Sequence, residues 1–291
     1  MHYENQFIHN NQNLIARALN VFLNNILFIK IKRIIFYPFT KIHLKSDIKN
    51  VVFMNWMVPI KKVEHLIPEH VKIRIYDDQV LFTIIIYEHG NFRPVIFNKI
   101  KCIFGSPLQS NWRLYIKNHE LFETSESGVY FIKNIMSSFT YTISSRVFSN
   151  ILQTHLPERF EHYYNTNQIT TKILSGKSSA PDLKIILEST LKWQLPPNMQ
   201  PFFLDSKNLI DIICNQEFAI SNQPDKNKYA VAQINLQFDH IDIQPLEVKI
   251  FESKWLKEII SDSSCFAFVI KNLTFLTLGE KIITIQTNEH N

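Results

Sequence analysis

The sequence predicts a strand-rich α+β fold, and three observations support that prediction. Short apolar runs rich in Ile, Val, Phe, Tyr and Thr dominate the chain beyond position 30. Strands and helices do not alternate in the βαβ pattern, which argues against a parallel doubly wound sheet. Hydrophobic residues make up 45% of the 291 residues and charged residues 20%, enough apolar material for a large core. We therefore expect a mostly antiparallel sheet with a few flanking helices.

The first element is an amphipathic helix over residues 13–28, with Asn13 as its N-cap. A step of 100° per residue places its apolar side chains on one broad face: Ile15, Ala18, Leu19, Phe22, Leu23, Ile26 and Ile29. A basic stretch follows from Lys30 to Arg33. The opposite face is rich in Asn rather than Lys, so we expect this helix to pack on its own domain. The alternative is a helix that binds a membrane surface or a protein partner.

Two hairpins stand out among the predicted strands. Asp77-Asp78 is expected to join one pair of strands, and Gly279-Glu280 another. Helices are expected at residues 135–154 and 206–213. The predicted strands cover residues 51–58, 71–76, 80–87, 112–117, 129–133, 169–174, 183–195, 229–238, 246–252, 273–278 and 282–287.

Composition excludes several classes of function. Five glycines are too few and too scattered for a dinucleotide-binding turn or a phosphate-binding P-loop. No G-x-S-x-G or H-E-x-x-H motif occurs, and the three cysteines form no C-x-x-C pair. We therefore expect no metal and no cofactor. The net charge of +5 is spread along the chain and does not imply nucleic acid. Without a recognisable secretory signal, the expected location is the cytoplasm.

One strand carries an unusual polar face. Alternation along residues 109–115 places Gln109, Asn111, Arg113 and Tyr115 on one side, while Trp112 lies on the other. If the polar side faces solvent, it is an ordinary sheet edge. If it lines a curved sheet, Arg113 can bind a carboxylate with its planar guanidinium. Its three polar neighbours would then complete a small pocket.

The order of short motifs resembles a known family. Phe53 and Trp56 form an F-x-x-W motif, and a proline in HLIPEH and the Asp77-Asp78 hairpin follow it. The QSNWRLYI strand, the Gly-Val-Tyr-Phe stretch from Gly128 and a helix with Arg146 come next. This order resembles the YqjF-like proteins of unknown function in the acetoacetate-decarboxylase-like superfamily, over residues 51–252.

The resemblance implies a fold and a comparison of active sites. The fold would be a curved, cone-like antiparallel β-barrel around a small-molecule cavity, in a dimer or larger assembly. In the true decarboxylases a lysine of a Gly-x-Pro-Lys-Lys stretch forms a Schiff base with a β-keto acid. By this resemblance Phe131 stands at the position of that lysine, and Ile132 at that of its activating neighbour. Lys133 is expected on the face of Phe131, as a solvated strand-end lysine first and a catalytic candidate second.

Two further positions depart from the family pattern. The polar strand of the family begins with a glutamate where this chain has Gln109, which cannot serve as a general base. Arg113 is then free to pair with an anionic ligand. His240 roughly matches a family histidine and is expected to be a buried structural residue.

The sequence therefore supports three functional hypotheses and a three-part layout. The first is a barrel that binds a small organic acid, with Tyr130 and Phe131 in the apolar wall. The second is a scaffold that binds a partner through its N-terminal helix, and the third is a lyase with altered chemistry. Residues 1–45 would form a helical extension, 46–255 the barrel and 256–291 strands that pack on it. Neither a nucleic acid nor a membrane surface is expected as a partner, and a homodimer is an option.

Overall fold

The computed structural model describes residues 5–117, 127–260 and 264–285. Its α-helices are Leu14–Asn24 (α1), Ile26–Ile35 (α2), Ile60–Val63 (α3), Phe139–Phe148 (α4), Ser206–Cys214 (α5) and Lys254–Lys257 (α6). Short 3-10 helices span Tyr37–Lys41, Glu64–Leu66, Val95–Ile103 and His240–Asp242. The strands are Leu44–Pro59 (β1), Ile75–Tyr76 (β2), Gln79–Glu88 (β3), Arg93–Pro94 (β4), Leu108–Ile116 (β5), Gly128–Met136 (β6), Thr154–His155 (β7), Arg159–Tyr164 (β8), Gln168–Leu174 (β9), Leu183–Ser189 (β10), Phe218–Asn222 (β11), Lys228–Gln237 (β12), Ile243–Glu252 (β13) and Phe266–Thr284 (β14).

Within the described residues, seven strands close into a barrel. Their order is β1-β3-β5-β6-β11-β12-β14, and β14 pairs with β1 to complete the ring. The strand-rich α+β class and the barrel expected from the family resemblance are thereby confirmed. Two pairings of the described strands differ from the expected antiparallel pattern, because β6 runs parallel to its barrel neighbour β11 and to the short strand β7. A long excursion of the chain through β7 to β10 separates β6 from β11 and lets both enter the barrel in the same direction.

The C-terminal strand holds the architecture together. The first part of β14 pairs with β13, and its second part pairs with β12. A second sheet, β13-β10-β9-β8, therefore branches from the barrel at this strand. Residues 256–291 were expected to pack on a finished barrel, whereas β14 is itself a barrel strand. It is a barrel strand because eleven of its residues pair with β1 in one constant antiparallel register, with a single unpaired position at Asn50.

Two apolar cores lie on opposite faces of the barrel wall. Outside, the second sheet covers Trp56 and Trp112, whose rings contact Phe251 and Trp255 at centroid distances of 5.1 and 5.2 Å. Inside, Phe53 and Phe268 stack at 4.8 Å. The inner core continues into α5, where Leu209, Ile210 and Ile213 are buried. Alternation along β5 thus sends Trp112 to one core and its neighbours Asn111 and Arg113 to the other.

The two predicted hairpins have different outcomes. Asp77 and Asp78 both adopt positive φ, 43° and 62°, and join β2 to β3 in the tight turn that such angles favour. The hairpin at Gly279-Glu280 is wrong, because β14 continues through both residues. Gly279 has φ +117°, and the pairing with β12 shifts register between the partners Thr277 and Glu280. The glycine marks a β-bulge rather than a turn.

Of the two predicted internal helices, one is confirmed and one is wrong. The prediction for residues 206–213 is confirmed by α5. The helix expected at 135–154 is wrong at both ends, since β6 runs to Met136 and α4 covers only ten residues. Ser138 caps α4 by accepting a hydrogen bond from the Tyr141 amide. A hydrophobic strand followed directly by a capped helix has no visible boundary in the hydrophobic pattern.

The N-terminal helix is broken and largely uncovered. Asn13 accepts a hydrogen bond from the Ala16 amide, as expected of its N-cap. Asn25 then ends α1 and caps α2, and the two helix axes differ by 69°. Of the apolar face expected to pack on the domain, Leu23 and Ile29 are buried but Ile15, Phe22 and Ile26 are exposed. In the described part of the chain no single helix could span a membrane, although α1 and α2 together have the length and composition.

Candidate functional site

The inward face of β5 lines a cavity inside the barrel. Gln109, Asn111 and Arg113 project into this space, which has a volume of about 50 Å³. Phe131 of β6 lines it as well, and it is the cross-strand partner of Arg113. The rest of the wall is mostly aliphatic and aromatic: Leu44, Ile48, Val51, Phe53, Ile85, Ile151, Ala219, Ala232, Ile234 and Leu273. Four of the six residues expected at the site are therefore brought together around one space inside the barrel.

Arg113 is a buried cation without a carboxylate partner. Its side chain is 3% exposed, and none of the ion pairs formed by the described residues includes it. Nη2 donates to the backbone carbonyl of Ile213 at 2.8 Å and to the Tyr115 hydroxyl at 3.3 Å. Nε has no hydrogen-bond partner among the described residues. A buried guanidinium with an unused donor is costly unless an anion completes it.

Tyr115 positions the guanidinium and does not line the cavity itself. Its hydroxyl lies 2.9 Å from the Thr83 hydroxyl, which donates to Asn55 Oδ1 at 2.7 Å. With its proton committed to Asn55, Thr83 accepts from Tyr115, and Tyr115 accepts from Arg113. Burial raises the pKa of Tyr115, so it stays a neutral phenol. This chain of donors fixes Arg113 against the floor formed by α5.

A second polar chain follows the wall toward the barrel mouth. Gln109 Nε2 donates to Asn111 Oδ1 at 2.8 Å, and Asn111 Nδ2 lies 3.3 Å from the Tyr87 hydroxyl. On the other side, Gln109 Oε1 lies 2.6 Å from His89 Nε2, and Ser46 Oγ lies 2.9 Å from His89 Nδ1. Because Gln109 donates through Nε2, its Oε1 must accept, and this fixes the donor and acceptor roles along the rest of the chain. His89 must carry its proton on Nε2, and Tyr87 keeps its own proton free for the cavity.

His89 is held neutral by its surroundings. Burial lowers the pKa of its imidazole to about 4, although the hydrogen bond to Gln109 acts in the opposite direction. The ring stacks on Phe92 at a centroid distance of 4.4 Å. Ser46 Oγ also accepts from the Gly90 amide at 3.1 Å, which leaves its hydroxyl proton for His89 Nδ1. His89 is thus a fixed donor to Gln109 rather than a proton carrier near neutral pH.

Two expected site residues lie on the outer face of the wall. Tyr130 packs in the outer core, and its hydroxyl donates to the Leu66 carbonyl at 3.3 Å. It does not line the cavity, because alternation along β6 turns it away from its neighbour Phe131. Lys133 was expected on the face of Phe131, in solvent. Instead it is buried and pairs with Trp112, after a register shift that makes Ile132 an extra residue in β6. This β-bulge reverses the alternation beyond Phe131.

The barrel mouth opens into a larger pocket of about 610 Å³. Leu44, Phe92, Leu152, Thr277 and Glu280 line both spaces, so the two adjoin. Glu280 is the one acidic residue among the described residues around the cavity. Its carboxylate accepts from Ser149 Oγ at 2.5 Å and from the Asn150 amide at 2.7 Å. Burial raises the pKa of Glu280. The hydrogen bonds to Ser149 and Asn150 hold its carboxylate at the mouth, and none of the ion pairs of the described residues joins it to Arg113.

Lys32 closes the wall behind this mouth. Its Nζ donates to the carbonyls of Arg146 at 2.5 Å and Ser149 at 2.8 Å. Burial lowers the pKa of this lysine to about 7, while Glu280 nearby opposes the shift. The side chain ties α2 to α4 and does not line the cavity. Among the described residues that do line the cavity, none is a lysine.

His240 differs from its expectation as a buried residue. Its side chain is 56% exposed at the end of β12, and Nε2 lies 3.7 Å from Asp211 Oδ1. It sits on the outside because the short 3-10 helix at His240–Asp242 connects β12 to β13 over the surface. Over the ranges 5–117, 127–260 and 264–285, no group of three His, Cys, Asp or Glu side chains could hold a metal ion.

Comparison with known proteins identifies the family. The model of DUF2071, described as an uncharacterized conserved protein, matches residues 45–207, more than half of the chain. The chain belongs to the DUF2071 family. This assignment confirms the YqjF-like resemblance of the sequence motifs. Among curated proteins, none matches the sequence.

The solved structures similar to this DUF2071 protein share its fold at low sequence identity. The enduracididine biosynthesis enzyme MppR superposes with a TM-score of 0.54 at 6% identity, over 83% of this chain and 88% of its own. An acetoacetate decarboxylase-like enzyme from Sphingomonas wittichii gives 0.52 at 8%, over 84% and 94%. Acetoacetate decarboxylase from Legionella pneumophila gives 0.51 at 12%, over 82% and 87%. These likenesses establish the cone-like barrel architecture.

The sequence missed three residues of the polar chain in this DUF2071 protein. Tyr87 is the cross-strand partner of Gln109, and the inward alternation from Thr83 through Ile85 to Tyr87 could have shown it. His89 and Ser46 carry no such pattern, since one follows the end of β3 and the other lies near the start of β1. Only the closure of the barrel brings them beside Gln109.

Proposed function

We propose that this protein binds a small organic acid inside its barrel, with Arg113 as the anchor for the carboxylate. The observation that carries the proposal is the buried guanidinium with an unused Nε donor and no carboxylate partner among the described residues. Burying a charge in an apolar wall lowers stability unless a counter-charge is present. An anionic ligand supplies that counter-charge, and a planar carboxylate matches the fork of the guanidinium.

The dimensions of the cavity favour a small ligand. A cavity needs roughly 10–15 Å³ to hold one water molecule. The cavity of about 50 Å³ therefore has room for about four water-sized atoms without movement of the wall. The aliphatic side chains around it suit a short apolar body. Asn111 and Tyr87 supply polar groups on the same wall, and the free proton of Tyr87 suits an oxygen acceptor on the ligand.

Keto acids are the first compounds to test. The structure of MppR, which shares the fold, is in complex with pyruvate, a small keto acid that is slightly larger than the cavity without movement of its wall. At 6% identity the likeness to MppR transfers no residue roles, and the choice of pyruvate here rests on its carboxylate and its short body. We include acetate and acetoacetate in the same series because they vary the body of the acid while keeping its charge.

In this proposal the acid binds non-covalently, without a Schiff base to a lysine. The described lining of the cavity includes Phe131 where the family resemblance puts the decarboxylase lysine, and Lys133 lies on the outer face. A lyase with altered chemistry remains the alternative. Borohydride trapping separates the two, because reduction of a keto-acid adduct would add a fixed mass to one lysine. The expected result is no trapped adduct after incubation with pyruvate or acetoacetate.

Thermal unfolding with added acids tests the binding claim. A ligand at about 100 times its Kd stabilises the native state by roughly 2.7 kcal/mol, which moves the Tm measurably. We expect such a shift for wild type, a smaller one for Arg113→Lys and none for Arg113→Met. Arg159→Met is the matched control, since Arg159 is an exposed arginine of β8 outside the barrel. Equal shifts in all four proteins, or none for any acid, would contradict the proposal.

A further inference from the structure

The segments around the barrel mouth expose an unusual amount of apolar surface. Every residue of the 3-10 helix Val95–Ile103 is exposed, including Ile96 and Ile103 at 75% and 70%. Helices α1 and α2 and the 3-10 helix Tyr37–Lys41 add further uncovered side chains: Leu14, Ile15, Val21, Phe22, Ile26, Leu27, Ile31, Ile34, Ile35, Tyr37 and Phe39. We refer to the exposed residues of these four helices as the rim. Contiguous apolar surface of this kind marks an interaction site.

The parts of the rim are joined to one another and to the mouth. The Val95 amide donates to the His43 carbonyl at 2.8 Å, which links the start of one 3-10 helix to the end of the other. Phe36, at the end of α2, contacts the ring of Phe148 at 4.8 Å. Phe39 and Ile103 both line the 610 Å³ pocket that leads into the barrel. The rim therefore borders the entrance rather than a remote part of the surface.

The charge of the rim indicates what covers it. The four helices of the rim contain seven Lys and Arg and no Asp or Glu. Of these, Arg17, Lys30, Lys41, Lys99 and Lys101 are exposed among the apolar side chains. Acidic residues of neighbouring segments are already engaged, since Asp225 binds Arg33 and Asp47 binds Arg93. Glu280, which lines the 610 Å³ pocket with Phe39 and Ile103, accepts hydrogen bonds from Ser149 and Asn150. The rim thus presents apolar groups and positive charge together, without acidic groups of its own segments.

We propose that the rim docks on an anionic lipid bilayer, with the barrel mouth facing the lipid. Apolar side chains enter the interface while lysines contact acidic headgroups, as in other membrane-surface segments. A second copy of this chain is the poorer occupant, because a two-fold interface would place the same positive surface against itself. The inference does not depend on Arg113 binding an acid.

Vesicle co-sedimentation tests the proposal with the full chain. We expect binding to vesicles of phosphatidylcholine with 30% phosphatidylserine and much weaker binding to phosphatidylcholine alone. The double variant Lys99→Ala with Lys101→Ala should partition about thirtyfold more weakly, the loss expected for two basic residues at such a surface. Salt at 0.5 M should reduce wild-type binding, because it screens exposed charges.

The apolar part is tested by Ile96→Ser with Phe97→Ser, which changes only exposed side chains. This variant should lose vesicle binding and keep the wild-type Tm. Leu191→Ser with Leu204→Ser is the matched control, since both leucines are more than 90% exposed outside the rim. It should bind like wild type. Equal binding by all variants, or no binding of wild type to either kind of vesicle, would overturn the proposal. A concentration-dependent dimer that the Ile96 and Phe97 changes abolish would instead assign the rim to a second copy of this chain.

Discussion

Gln109 Oε1 accepts a 2.6 Å hydrogen bond from Nε2 of buried His89, where the resembling family has a glutamate. The amide oxygen therefore faces the imidazole, and the amide nitrogen faces Asn111. An amide at this position satisfies a neutral histidine without adding a charge to the cavity. Two charged residues belong to the described lining, Arg113 inside the barrel and Glu280 at the mouth. Of these, Arg113 is the one without a charged partner among the described residues.

The first prediction concerns pH and His89. The unfolded chain binds a proton at His89 with a pKa near 6.5, and the folded chain only near 4. The contribution of His89 to the unfolding free energy is therefore fully present above pH 6.5 and is lost as the pH falls toward 4. Between pH 8 and pH 5, wild type should lose about 2 kcal/mol more unfolding free energy than His89→Gln. Urea unfolding at the two pH values measures this, and parallel losses would contradict it. His240→Gln, an exposed control, should follow wild type.

The second prediction restores the glutamate. In Gln109→Glu a buried carboxylate would accept the proton of His89 Nε2 and favour the imidazolium. The pKa of His89 should rise from about 4, and the loss of stability between pH 8 and pH 5 should shrink. A proton NMR titration of the His89 ring follows the pKa directly. An unchanged titration curve would show that the contact between residues 89 and 109 does not control this histidine.

The third prediction concerns the stability cost of Arg113. Replacing a buried charge that lacks a partner by an apolar side chain of similar length is often neutral or stabilising. Without ligand, Arg113→Met should be at least as stable as wild type, despite the lost hydrogen bond to Ile213. Urea unfolding measures the difference. A loss of more than about 3 kcal/mol would mean that Arg113 is a structural residue.

The fourth prediction concerns Gly90, which follows His89. A Cβ atom at this position would lie 1.7 Å from the backbone oxygen of Asp47. Gly90→Ala should therefore separate β1 from the turn after β3 and cost at least about 2 kcal/mol. In Gly105→Ala, the control, the new methyl group meets only the Tyr141 ring at 3.2 Å. Equal Tm values for the two variants would contradict the close approach.

The fold was predictable where local rules govern it. The alternation along β5 gave the correct inward set from Gln109 to Arg113, and positive φ at Asp77 and Asp78 matched the predicted hairpin. Family motifs added the closed barrel, which no periodicity shows. The site needed more, because the extra residue at Ile132 moved Lys133 to the outer face. A β-bulge depends on pairing with a distant strand and leaves no mark in a single sequence.

Long-range contacts account for the other errors. Gly279 has the residue type of a turn, but β12 pairs with β14 on both sides of it and keeps it within a continuous strand. The exposure of α1 and α2 could not be derived from their amphipathic pattern, since the pattern is the same whether the apolar face meets the protein or another surface. Which face is covered is decided by the tertiary structure alone.

Calorimetric titration tests the central claim most directly. Pyruvate and its neutral isostere pyruvamide have nearly the same size and differ in the carboxylate that Arg113 is proposed to hold. We predict saturable binding of pyruvate to wild type, at least tenfold weaker binding of pyruvamide, and no preference between them in Arg113→Met; about 1.4 kcal/mol corresponds to each factor of ten. Binding of pyruvate that survives in Arg113→Met, or equal binding of both compounds to wild type, would contradict the carboxylate anchor.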